Sequence, residues 1–294
     1  MKLLKNLSNL QKRIIGAGML LVFGIVFFVD LFLGGDNYLA TGVYYIFSAG
    51  IIWEFFNLIE DKKAKLLSRY FALLLVFSVL IYINQNGFNW YDFIFPLFCG
   101  ISSILIYGKK TERKKDFFCL LSLIIYLSAL IFINKAMNLL LPKTPDPLGA
   151  ILLLVIFFIT ITTDIGAYFV GKKFGKKKLA PKISPNKTWA GFLGGILFPT
   201  TIVIIYLLKT VPIRVFANNF YVAVKVISFY ILTTIILSII AQLGDLFESY
   251  LKRLNGAKDS GKIIIGHGGL LDRFDSFLFL IFWIGIVIYI FGVN

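Results

Sequence analysis

Solid apolar runs of about twenty residues recur along the whole chain, separated by short polar or basic segments. A helix needs about 20 residues to cross roughly 30 Å of hydrocarbon. On that measure the pattern predicts nine spans: Ile14–Leu33, Leu39–Ile59, Leu66–Ile83, Tyr91–Tyr107, Phe117–Leu140, Leu148–Val170, Trp189–Leu208, Val224–Leu243 and Phe277–Phe291. The strands of a transmembrane barrel would alternate polar and apolar residues, which these runs do not. The expected fold class is an all-α polytopic membrane protein with about nine transmembrane helices. The first run exceeds a signal-peptide core, and Gly34-Gly35-Asp36-Asn37 follows it in place of a small-residue cleavage site. A retained helix is expected there.

Composition agrees, with 59% of the 294 residues hydrophobic and only 15% charged, against an apolar share of about 45–50% in soluble domains. The net charge of +15 would suggest nucleic acid in a soluble protein. Here its distribution points elsewhere. If the nine spans alternate, 25 of the 30 lysines and arginines fall on one side, in residues 1–13, 60–69, 108–116, 171–187 and 244–276. The positive-inside bias places those segments and the N-terminus in the cytoplasm, and the C-terminus outside. A membrane with the basic loops facing the cytoplasm is the expected location, with no nucleic-acid partner.

Cys99 and Cys119 lie in separate apolar runs without metal-like spacing and read as packing thiols. A single histidine excludes paired-His chemistry. The candidate chemistry is concentrated late in the chain. Residues 1–147 are expected to be a scaffold of five helices, and residues 148–294 a catalytic part of four helices with two cytoplasmic loops.

The richest segment runs from Gln242 to Ser276 and gathers four aspartates, six glycines and the one histidine. If the eighth helix continues past the membrane, Asp245, Glu248, Ser249 and Lys252 at i, i+3, i+4 and i+7 form one polar stripe. Asp272, Asp275 and Ser276 repeat the first part of that spacing where the ninth helix begins. Carboxylates from two helix ends suit a hard divalent cation, which takes oxygen ligands, waters and substrate phosphates. Asp272 alone would equally serve to complement the helix dipole.

A second constellation starts at Thr163-Asp164 inside the sixth span, with Tyr168 one turn later. An ionised carboxylate there costs about 2.5–3.5 kcal/mol on insertion scales, and such residues commonly face a cavity, partner or pathway. The lysines at 172, 173, 176, 177, 178 and 182 also read simply as a topology anchor. Ser184-Pro185-Asn186-Lys187-Thr188 reads as a turn before a helix start, where free N–H groups and Lys187 suit a phosphate. Gly256 to Lys262 imitates a phosphate-binding P-loop, but Ile263 stands where Ser or Thr must reach magnesium and no strand precedes it.

Ser249-Tyr250-Leu251-Lys252-Arg253, then Lys258-Asp259-Ser260-Gly261, then His267-Gly268-Gly269-Leu270-Leu271-Asp272-Arg273-Phe274-Asp275 resembles the signature of the phosphatidate cytidylyltransferases, the CDP-diacylglycerol synthases. The spacing holds over more than twenty-five residues. The segments at Asp164, at Ser184 to Trp189 and at Gly244 to Ser249 are similar too, in the same order. Two positions depart from the pattern: Ile265, where a small residue or proline is common, and Ala190, where glutamate often follows the tryptophan.

The resemblance implies a Mg2+-dependent reaction of CTP with phosphatidic acid, with a second cation plausible. It implies metal ligands at Asp245 and Asp272, then Asp259 and Asp275. Lys187, Lys252, Arg253, Lys258 and Arg273 would hold phosphates, and Asp245, Asp272, Lys258 and Arg273 form the implied catalytic set. Ser184, Ser249, Gly268 and Asp164 would contact substrate. His267 reads as a phosphate contact or structural residue, since phosphatidate is already ionised and needs no general base. The expected partners are CTP, phosphatidic acid and the bilayer; a homodimer is left open. A transporter of an anionic solute and a CTP-dependent lipid kinase are the alternatives.

Overall fold

The structure is a computed structural model that describes residues 8–33, 38–59, 113–138, 148–210, 220–266 and 268–291. Seven helices and one hairpin make up the described residues: α1 (Asn9–Leu33), α2 (Tyr38–Ile59), α3 (Arg113–Asn138), α4 (Leu148–Phe174), β1 (Lys178–Ala180), β2 (Ser184–Thr188), α5 (Trp189–Thr210), α6 (Phe220–Leu254) and α7 (Leu271–Ile290). Six of these helices are long and apolar enough to cross a bilayer. The chain is a multi-pass, predominantly helical membrane protein. The expected spans Leu66–Ile83 and Tyr91–Tyr107 lie outside the described residues.

Local sequence explains where elements begin. Ser8 and Gln11 form a reciprocal capping box at α1, with Ser8 N donating to Gln11 Oε1 at 2.8 Å and Gln11 N to Ser8 Oγ at 3.2 Å. Asp30 accepts the Ala40 amide at 2.7 Å in the first turn of α2, where a carboxylate satisfies a free N–H. The eighth expected span is part of a longer helix. At about 1.5 Å per residue, the 35 residues of α6 extend roughly 52 Å, so the helix outruns the hydrocarbon.

The fifth run lies in α3, where Phe117 to Asn134 read as one apolar stretch, and its expected end at Leu140 lies outside the described residues. Leu123, Ile125, Tyr126, Leu130 and Ile133 of this helix are buried. Two expectations need correction. Ser184–Thr188 is a strand paired antiparallel with Lys178–Ala180, not a turn. The last helix starts at Leu271 rather than Phe277, so Asp272 and Asp275 belong to it.

The chain forms two compact units, one of residues 1–154 with 251–294, the other of residues 155–250. In the first, α7 packs on α3 and α2, and α1 packs on α2. Tyr44, Ile51, Leu130, Leu271, Leu278 and Leu280 are fully buried there. The Tyr44 hydroxyl donates to the Leu130 carbonyl at 2.6 Å, and the Phe47 and Phe274 rings meet edge-on at 4.7 Å. By contrast α1 exposes Leu10, Ile14, Met19, Leu21, Val22 and Ile25, an apolar face far larger than a soluble surface carries.

The second unit is built on close backbone approach. A Cβ at Gly166 would stand 2.5 Å from the Gly194 carbonyl, and one at Gly191 would stand 2.8 Å from that of Ala167. Glycine at these points lets α4 and α5 touch, as small residues do between membrane helices. Gln242 of α6 donates to the Phe192 carbonyl at 3.2 Å beside Gly195. The hairpin closes the end of this pair, with Lys178 opposite Thr188 and Ala180 opposite Ser184.

Candidate active site

In the first unit the acidic signature folds back on itself. Helix α6 ends at Leu254, and Gly256 takes φ 66° as the chain leaves it, the left-handed conformation that glycine permits after a helix end. The Ala257 amide returns to the Lys252 carbonyl at 2.8 Å, and Arg253 Nη1 donates to the Ala257 carbonyl at 3.0 Å. Arg253 thus helps close the helix end. Further on, the Ile264 amide reaches the Gly268 carbonyl at 3.0 Å, closing a tight loop that includes Ile265 and Gly266.

Asp272 stands in the first turn of α7 and gathers this loop around its carboxylate. Ser260 N donates to both oxygens at 3.0 Å, Gly269 N donates to Oδ2 at 2.8 Å, and Lys252 Nζ lies 2.7 Å from Oδ1. The Lys252 and Asp272 side chains are 11% and 8% exposed, so this ion pair is largely removed from water. Gly268, at φ 88°, lies against the same group: a Cβ there would be 3.0 Å from Asp272 Oδ2 and 3.9 Å from Asp259 Cγ. Asp259 and Asp272 therefore flank one glycine. Asp275 is turned into the interior, where its Oδ1 accepts the Ser276 amide at 2.7 Å. Lys258 and Arg273 are exposed at the surface, and His267 lies outside the described residues.

The second unit holds a parallel arrangement. Lys187 on β2 meets Asp245 Oδ2 at 2.7 Å, with side chains 23% and 34% exposed. Ser249, one turn along α6, donates to Asp245 Oδ1 at 3.3 Å. Thr188 caps α5 by accepting the Gly191 amide at 3.0 Å, so the helix start that Lys187 precedes is ordered by its own sequence. Ser184 begins β2 opposite Ala180. Asp164 is exposed on α4 beside the exposed Ile161, Ile165 and Tyr168.

One polar residue at this site was not expected from the sequence. Glu54, in the apolar α2, is 1% exposed and reaches the signature loop. It accepts Leu271 N at 2.9 Å, Ser260 Oγ at 3.2 Å and Ile263 N at 3.4 Å. A lone acid inside a membrane run was the available signal.

The profile of the cytidylyltransferase family matches residues 11–291, nearly the whole chain. The chain belongs to that family. Among its relatives, the phosphatidate cytidylyltransferase of Bacillus subtilis (strain 168) is 38% identical over 229 residues, covering 76% of this chain and 80% of that protein. The enzyme of the same name from Staphylococcus haemolyticus (strain JCSC1435) is 34% identical over 257 residues, 87% of this chain and 92% of that one. That of Staphylococcus aureus (strain COL) is 50% identical over 129 residues, 44% of this chain and 45% of that one.

A cytidylyltransferase handles a nucleoside triphosphate and calls for a divalent cation. The donor set fits one, because Asp272 and Asp259 are hard oxygen donors beside a shared glycine. Among the described residues no three acidic, histidine or cysteine side chains gather into a cage. None is required when one or two carboxylates, waters and phosphates complete the shell.

Proposed function

We propose that the chain transfers the cytidylyl group of CTP to phosphatidic acid, giving CDP-diacylglycerol and pyrophosphate at the cytoplasmic face of the membrane. The observation that carries this reading is the fixed Asp272 carboxylate, held by Ser260, Gly269 and Lys252 where α7 begins. It lies within the long segment whose residues and spacing resemble the family signature.

A phosphate oxygen of the lipid attacks the α-phosphorus of CTP, the bond from that phosphorus to the bridging oxygen breaks, and pyrophosphate leaves. Both reactants are anions, so the protein's task is neutralisation and alignment rather than nucleophilic attack. Asp272, with Asp259 across Gly268 from it, would hold Mg2+, and Asp245 and Asp275 are each assigned as cation ligands on the resemblance of their motifs. Bound there, the cation would offset charge on the triphosphate. Lys252 and Lys187, each 2.7 Å from one of these aspartates, are flexible point charges suited to phosphate. Arg253, Lys258 and Arg273 are exposed cations around the same loop and complete the phosphate-binding set, with Ser184, Ser249 and Gly268 as hydrogen-bond partners. Exposed Asp164 on the α4 face is assigned to the lipid side of the substrate.

Purified protein incubated with CTP, phosphatidic acid and Mg2+ tests the reading directly. CTP labelled at the α-phosphate should label the lipid. Transfer of label from the γ-phosphate to a lipid alcohol would instead identify a kinase, and no transfer of either would favour transport.

A further inference from the structure

Glu54 comes from the part of the chain that the sequence assigns to scaffold, yet both of its oxygens are spent on the signature loop. Oε2 accepts from Leu271 N and Ser260 Oγ, and Oε1 accepts from Ile263 N. Every partner is a donor, so the group acts solely as an acceptor. Burying a carboxylate is costly unless such bonds offset it. The loop is shaped to reach it: a Cβ on Gly261 would collide with the carboxylate, and one on Gly269 would stand 2.5 Å from Oε2.

Glu54 also performs the task of a missing cap. Leu270 occupies the N-cap position of α7 and offers no side-chain hydrogen bond. The first N–H groups of a helix need acceptors, and an anion there is favoured by the helix dipole. Leu271 N finds its acceptor on α2. Ser260 then joins the two acids, giving its hydroxyl to Glu54 and its amide to Asp272. Two short routes therefore run from Glu54 to Asp272, one through Ser260 and one through the first peptide of α7.

We infer that Glu54 is a positioning residue for Asp272: an anionic cap supplied by α2 that fixes the first turn of α7 and thereby the aim of the cation-binding carboxylate. It touches neither substrate nor cation and acts through Ser260 and Leu271. The inference rests on the reading of Asp272 as a cation ligand.

The test uses the full chain in lipid nanodiscs. Mn2+ binding is followed by electron paramagnetic resonance with CTP present and phosphatidic acid withheld, and the Mg2+ dependence of turnover is measured in parallel. Glu54→Gln replaces one acceptor oxygen by an amide donor facing donors. It should weaken Mn2+ binding and raise the Mg2+ needed for half-maximal rate by about 10–100-fold, the usual effect of losing a group that orients a metal ligand. Ser260→Ala removes only the connecting hydroxyl and should shift both quantities in the same direction. The double variant should be no worse than Glu54→Gln, because the Ser260 route is one of the two that Glu54→Gln already cuts.

Cation dependence that overlies the parent in the folded variants overturns the inference, since a merely structural anchor would change protein yield alone. If Glu54→Gln does not accumulate, Ser260→Ala decides on the same criterion. Asp272→Asn, run alongside, separates the two claims. Retained turnover and Mn2+ binding there would defeat the ligand reading, whereas an inactive Asp272→Asn beside an unshifted Glu54→Gln defeats only the role of Glu54.

Discussion

Asp272 carries a structural and a chemical duty, and substitution can separate them. Its ion pair with Lys252 is nearly buried, and removing one member of such a pair leaves an uncompensated charge that costs about 3–5 kcal/mol. Asp272→Asn should therefore lower the unfolding temperature as well as abolish cytidylyl transfer. In the double variant Lys252→Met, Asp272→Asn, neither charge remains, and thermal stability should recover most of the loss. Turnover should not recover. Thermal unfolding in detergent and the labelled-CTP assay read the two effects independently, and an active double variant would contradict the chemical role. Gly268 is constrained on two counts, by φ 88° and by the 3.0 Å approach to Asp272 that a Cβ would make. Gly268→Ala should thus lose turnover through a displaced Asp272, with its loss seen as a higher Mg2+ requirement in the same assay.

Among the elements, the contact of α4 with α5 shows how a helical pair depends on what its residues lack. A Cβ at Gly194 would collide with Val170 and stand 2.7 Å from the Gly166 carbonyl. Gly194→Ala should destabilise by about 1–3 kcal/mol, the common range for overpacking, and lower the thermal midpoint. Gly18→Ala on α1 is the control, because nothing lies within 4 Å of the added carbon and alanine is the better helix former. Its midpoint should stay equal or rise. The hairpin is a second consequence of local chemistry. Strand β2 brings Lys187 to Asp245 and hands the chain to α5 through the Thr188 cap, so a basic loop that hydropathy marks only as polar acquires a defined register.

For the molecule as a whole, the charge bias predicts sidedness that α5 alone can test. Lys177 precedes this helix and Thr210 ends it, and both are exposed. With Cys99 and Cys119 replaced by serine, a membrane-impermeant thiol reagent applied to intact cells should label Thr210→Cys and spare Lys177→Cys. The reverse pattern would invert the topology.

Hydropathy, charge and motif spacing are properties of the chain read in one dimension, and they determined a multi-pass helical membrane protein, its family, and a polar stripe from Asp245 to Lys252 on a continuous helix. They also marked Asp272 at a helix start. A window average could not tell which residues of α3 are buried, because burial depends on what packs around a helix rather than on its own apolar content. Nor could it find a hairpin of basic residues whose strands are set by pairing. The role of Glu54 was the least legible. Its bonds span 206 to 217 residues, and only the packing of α7 and its preceding loop against α2 brings an isolated membrane acid to the amide that needs it.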